Sequence, residues 1–157
     1  MGHFGADLTI YDGGMQKNTV SHFEIYANDP DKLAKFYTDM FDWKITPVPG
    51  MDYQMVHSGD TDDKNILKQP GAINGGIARR PAGYGVNGAV NYAMVDSIED
   101  AVKRAQSLGA KVTQDKTPVP GMGWFAMFLD PEGNNFAVFK NDAAAKYSSE
   151  MQPRRSV

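Results

Sequence analysis

His22 and Glu24 stand two positions apart in the segment Val20–Ala27, whose alternation of apolar and polar residues predicts a strand. Alternation places both side chains on one face with Tyr26, and Phe23 and Ile25 on the other. An imidazole beside a carboxylate could work as a general acid–base pair or orient a polar group of a ligand. The two could also supply two ligands to a divalent metal. A hydrogen-bonded polar pair on a partly solvated face is the plainer alternative. Asn91 lies in a second strand-like segment, and its amide could hold a substrate carbonyl or satisfy the backbone at a strand end. Tyr53 and Trp124 occupy matched places after two copies of one motif and could stack on a planar ligand, as could Phe139. Core packing is the competing role for aromatics at matched positions.

The elements that must position these residues come in duplicate. Thr46-Pro47-Val48-Pro49-Gly50-Met51 recurs letter for letter as Thr117-Pro118-Val119-Pro120-Gly121-Met122. Self-similarity of this kind implies one supersecondary unit used twice, and the period is too long for a solenoid repeat of about 20–50 residues. In the first half, a strand over 20–27 leads into a helix started by Asn28-Asp29-Pro30 and running to Phe41. Leu33, Phe36, Tyr37, Met40 and Phe41 give that helix an apolar face. Strands follow over 43–48, 52–57 and 74–80, the last interrupted by Gly75-Gly76, for which a bulge is the simplest account.

The second half repeats the order. A strand over 89–95 precedes a helix over 97–108, capped by Asp96 and ended by Gly109. Strands over 110–117, 124–129 and 135–140 complete it. The offset between the caps Asp29 and Asp96 carries Glu24 onto Asn91. The proline motifs are spaced four residues wider than those caps, and the surplus is expected within 111–116. The expected organisation is an arm over 1–17, one module over 18–80, a linker over 81–88, the second module over 89–140, and a tail over 141–157 that begins as a short helix.

Composition narrows the class. The chain has 157 residues, enough for one compact body, and its 41% hydrophobic and 22% charged residues are ordinary for a globular protein. A net charge of −3 gives no footprint for nucleic acid. With no cysteine there is no disulfide, thiolate nucleophile or cysteine zinc site. No apolar run is long enough for a membrane span, and the N-terminus does not read as a secretory signal, so a soluble cytoplasmic protein is expected. Asp60-Thr61-Asp62-Asp63 lacks the glycine and terminal glutamate of a calcium loop.

This strand–helix–strand–strand–strand pair resembles the vicinal oxygen chelate superfamily, which includes glyoxalase I, bleomycin-resistance proteins and extradiol dioxygenases. The resemblance rests on Asp-Pro-x-x-Leu-x-x-Phe-Tyr over Asp29–Tyr37, Leu108-Gly109-Ala110, and Phe128-Leu129-Asp130-Pro131-Glu132-Gly133-Asn134. It implies an α+β fold of two βαβββ modules, a curled mixed sheet with both helices outside and a small-molecule ligand in the concave face. Pairing into a homodimer is also implied. Metal-dependent relatives carry a ligand on the first, fourth, fifth and eighth strands. Of those positions only the first is matched, by His22. The fourth strand offers no carboxylate, the fifth only Ala89, Val90 or Asn91, and the eighth has Ala137 where glutamate is expected. No metal cofactor is therefore expected. The expected role is binding of a small organic molecule, as in resistance-type proteins. The alternatives are a lyase- or isomerase-like enzyme with His22 or Glu24 as general base, and a divalent-metal enzyme of glyoxalase or dioxygenase type with a rearranged site.

Overall fold

In the computed structural model, residues 18–63, 66–83 and 88–148 are described. The first module is β1 (Val20–Ala27), α1 (Pro30–Phe41), β2 (Lys44–Pro47), β3 (Tyr53–His57) and β4 (Gly75–Arg79). The second is β5 (Ala89–Met94), α2 (Ile98–Ser107), β6 (Lys111–Val119), β7 (Gly123–Leu129) and β8 (Asn135–Asn141). All eight strands form one curled mixed sheet in the order β2-β3-β4-β1-β5-β8-β7-β6. Within each module the first strand runs parallel to the last, β1 to β4 and β5 to β8, and the helix supplies the crossover that parallel pairing needs. The modules join through the antiparallel pair β1–β5. The order on each side of that seam is therefore the same, and the α+β architecture expected from the duplication is the one observed.

Local chemistry explains the helices. The Asp29 carboxylate accepts from the Lys32 amide at 3.0 Å, and Pro30, which has no amide hydrogen to satisfy, opens the first turn of α1. The second helix departs from expectation by one residue: Ser97, not Asp96, is its cap, and its hydroxyl accepts from Asp100 N at 3.1 Å. Both helices cover the convex side of the sheet. There Ala34 packs with Val56 and Ile77, and Ile98 packs with Ala126 and Val138. Ile77 and Ile98 are fully buried, each worth about 1.5–3 kcal/mol of transfer free energy. The opposite, concave face carries a third cluster of Val90, Tyr92, Met94, Met127, Ala137 and Phe139.

Three further expectations change. First, β4 has no bulge. Gly76 pairs in unbroken register with Glu24 on one side and Met55 on the other, and a Cβ at Gly76 would overlap the Tyr53 phenol. The missing side chain makes room for a neighbour's ring. Second, β6 continues through Pro118 to Val119, and its pairing to β7 shifts at two points between Val112 and Thr117. Those shifts absorb two surplus residues inside the predicted interval. Third, residues 142–148 form no helix. The segment turns back, and the Gly121 amide donates to the Ala145 carbonyl at 2.9 Å, burying Ala145 against the second proline motif. The arm over 1–17 lies outside the described residues.

Candidate functional site

The concave face encloses a cavity of about 350 Å³, the low end of the range for small-molecule sites. Strand β1 lays its floor. His22, Glu24 and Tyr26 point inward there, as the alternation of Val20–Ala27 requires, while Phe23 and Ile25 pack under α1. Tyr53 and Met55 on β3, Tyr92 on β5, and Phe125 and Met127 on β7 complete the inner wall, with Phe139 on β8 beneath. The lining is mostly aromatic and thioether, and among the described residues no lysine or arginine contributes to it.

Within this wall His22, Glu24, Tyr26, Tyr53 and Tyr92 form one connected polar cluster. The Tyr92 hydroxyl donates to Glu24 Oε1 at 3.3 Å, and Tyr26 and Tyr53 also hydrogen-bond the Glu24 side chain. Tyr53 meets His22 Nε2 at 3.1 Å. His22 is 2% exposed, its ring stands edge-on to Tyr92 with centroids 5.6 Å apart, and its Nδ1 has no hydrogen-bond partner among the described residues.

Burial governs the protonation of both groups. Desolvation lowers His22 to about 4, so the imidazole is neutral at pH 7. Desolvation raises Glu24 above the ordinary carboxylate range, and the bonds from Tyr26, Tyr92 and Tyr53 pull it partly back. Burial, then the charge of Glu24, raises the Tyr92 phenol and keeps it protonated. The cluster thus combines one carboxyl with a high proton affinity, three phenols able to donate to it, and an uncharged imidazole.

The structure sorts the candidates from sequence. His22, Glu24, Tyr53 and Phe139 meet in the cavity. Asn91 does not: it pairs with Phe23 across the seam, is exposed, and belongs to the convex side. The cause is the misplaced helix cap. With Ser97 as cap the two modules correspond at an offset of 68, which carries Glu24 onto Tyr92. A one-residue error along a strand moves a side chain to the other face. Trp124 is corrected for a related reason. Met55 and Met127 pair with Gly76 and Ala137, the equivalent places on β4 and β8, so Tyr53 corresponds to Phe125. Trp124 therefore faces α2, packs with Ala126 and Val138, and donates from its indole nitrogen to Asp142 at 3.0 Å. Tyr92, Gln114 and the cavity methionines also line the cavity, and no local spacing marks them for it. Tyr26 was legible from its alternation with Glu24.

The same geometry tests the donor set for a metal. The inward groups of β1 with the donor chemistry of a divalent-metal ligand are the His22 imidazole and the Glu24 carboxyl, beside the Tyr26 phenol. Gly76 and Ala137 have no donor atom, and Val90 faces the cavity side from β5. Among the described residues no three histidine, aspartate or glutamate side chains converge as a metal site. Two ligands from one strand do not fit a chelated divalent ion, which wants several converging donors.

A family model described as a glyoxalase-like domain matches residues 22–139. The chain belongs to the glyoxalase-like family. This glyoxalase-like chain is 26% identical over 138 residues to the protein CFP32 of Mycobacterium tuberculosis, an alignment covering 88% of it and 48% of CFP32. To the anthracycline biosynthesis protein DnrV of Streptomyces peucetius it is 28% identical over 134 residues, covering 75% of it and 45% of DnrV. It spans about half the length of these relatives. Among solved structures it resembles methylmalonyl-CoA epimerase of Streptomyces coelicolor, with a TM-score of 0.57 and 16% identity over 84% of this chain and 100% of the epimerase. That likeness concerns the fold. No helix among the described residues is long and apolar enough to cross a membrane.

Proposed function

We propose that the chain binds a small, neutral, largely apolar organic molecule in the concave cavity, oriented by Glu24 and without a metal centre. The observation that carries this reading is a carboxyl of raised pKa on the floor of an otherwise aromatic and thioether cup. A protonated carboxyl donates to a carbonyl oxygen or a phenolic oxygen of the ligand. The described lining residues include no lysine or arginine, which disfavours anionic ligands, because no cation among them replaces their hydration. The name of DnrV, an anthracycline biosynthesis protein, is in keeping with an aromatic ligand. Aryl methyl ketones are suitable probes. Acetylnaphthalene should raise the melting temperature increasingly with concentration, since a ligand of the native state alone stabilises it by mass action. Glu24→Leu should weaken that effect. No shift with any aryl ketone or phenol would sink the reading.

A second reading is favoured by the same carboxyl. A buried carboxylate with a raised pKa is a competent general base toward a C–H bond next to a carbonyl. Glu24 would take that proton while the electron pair moves to the carbonyl oxygen as an enolate, and the proton would return on either face. In deuterated water the enzyme would then exchange the methyl protons of acetylnaphthalene for deuterium, and Glu24→Gln would abolish the exchange. Equal exchange in both proteins would remove the base.

A further inference from the structure

The duplicated hexapeptide builds the same turn twice. In the first copy Met51 N donates to the Val48 carbonyl at 3.1 Å, and in the second Met122 N donates to the Val119 carbonyl at 3.0 Å. Between them Gly50 has φ 76° and Gly121 has φ 75°, each preceded by proline. Proline followed by a left-handed glycine, closed by this bond, is a type II turn. A substitution at either glycine would be strained by its backbone conformation.

The two turns lie far apart along the sheet. One joins β2 to β3 and the other joins β6 to β7, so they sit near its two opposite edges. The curl of the sheet nevertheless brings both to the same cavity: Val48 and Met51 line it from one module, Val119 and Met122 from the other. Met51 is 57% exposed, which puts it at the rim, whereas Met127 is 9% exposed and lies in the wall. At that exposure Met51 gains little from burial within its own chain. Thioethers are polarizable and adaptable, and they make favourable contacts with aromatic rings.

We infer that the two Val-Pro-Gly-Met turns are paired jaws that select the width of the ligand, with Met51 and Met122 holding opposite faces or edges of a fused aromatic ring whose oxygen reaches Glu24. This rests on the cavity reading above and adds the class of molecule it takes: a fused-ring aromatic ketone or phenol rather than a single ring. A single ring anchored at Glu24 would fill the floor and leave the jaws apart. The second ring gives them a surface to close on.

The test uses the full chain labelled with carbon-13 at the methionine methyl groups, titrated with acetophenone and with acetylnaphthalene. Met55 and Met127 report on the wall, Met51 and Met122 on the jaws, and Met40, exposed on α1, serves as a control. Both ketones should move the wall methyls, and only acetylnaphthalene should move both jaw methyls. Met51→Ala and Met122→Ala should each weaken acetylnaphthalene by about fivefold or more while changing acetophenone by less than about twofold, because the lost contact serves only the second ring. Movement confined to Met55 and Met127, or equal losses for the two ketones, overturns the jaws and leaves the cavity standing. No movement at any of the four overturns both.

Discussion

Strand β1 presents His22, Glu24 and Tyr26 to the cavity. Its counterpart β5 turns Val90, Tyr92 and Met94 to the same side of the sheet, and of these Tyr92 lines the cavity. The pattern continues outward. At equivalent places β3 has Tyr53 where β7 has Phe125, and β4 has Gly76 where β8 has Ala137. The first module therefore carries the proton-bearing groups, and the second supplies mainly hydrophobic wall, with Tyr92 reaching across to Glu24. Duplication made a cup with two similar sides, and the imidazole and the carboxyl stand on one of them. The convex faces show no such division, since both bury aliphatic side chains under a helix. Packing places the same demand on both halves, whereas a ligand needs its polar anchor in one place only.

The strongest way to test this division is through His22, which has no imidazole counterpart in the second module. Its folded pKa of about 4 lies below the ordinary 6.5, so between those values the unfolded chain binds the extra proton. Stability conferred by the neutral imidazole is present above pH 6.5 and is lost as pH falls toward 4, by about 3 kcal/mol in all. Denaturant melts of wild type and His22→Gln across pH 4–7 should diverge by that amount. Glu24, raised by burial, acts with the opposite sign: its penalty appears as pH climbs above the usual carboxylate range. Subtracting the His22→Gln profile separates the two. Parallel profiles would mean that His22 titrates normally.

Next in size is Gly76→Ala. Its Cβ would overlap the Tyr53 phenol, so the substitution should cost roughly 2–3 kcal/mol as an overpacking change and disorder the cluster around Glu24. Adding Gly76→Ala to Tyr53→Ala should cost little, because the obstructing ring is gone. If the two losses simply add, Gly76 does not make room for Tyr53. Trp124→Phe removes a hydrogen bond to Asp142 on the convex side and should lower stability by about 1 kcal/mol while leaving acetylnaphthalene binding intact. Weakened binding would return Trp124 to the site. Smallest of all, Asn91→Ala should change stability by under about 0.5 kcal/mol and binding not at all, since the residue is exposed on the outer side.

Much of this architecture was written in local pattern. The repeated hexapeptide announced two modules, and Asp29-Pro30 fixed one helix start through capping chemistry that acts over three residues. The alternation in Val20–Ala27 placed His22 and Glu24 on a shared face because a strand has a period of two. The same periodicity made the second module fragile to read. Asp96 and Ser97 are adjacent residues of equal capping ability, and choosing between them decides whether Asn91 or Tyr92 faces inward. Ser97 prevails because its hydroxyl reaches the Asp100 amide. Trp124 was misplaced by an analogous single-residue difference after the second turn.

The sequence alone determined the duplicated α+β scaffold and the inward pair on β1, since each depends on residue type or short spacing. Tertiary structure alone decided that Tyr26, Tyr53 and Tyr92 gather on Glu24, that Gly76 yields its space to a phenol, and that two distant proline turns line one cavity. These depend on how the eight strands pair and curl. Pairing across the sheet brings together residues that no local spacing relates, and burial among them then sets the charge each group carries.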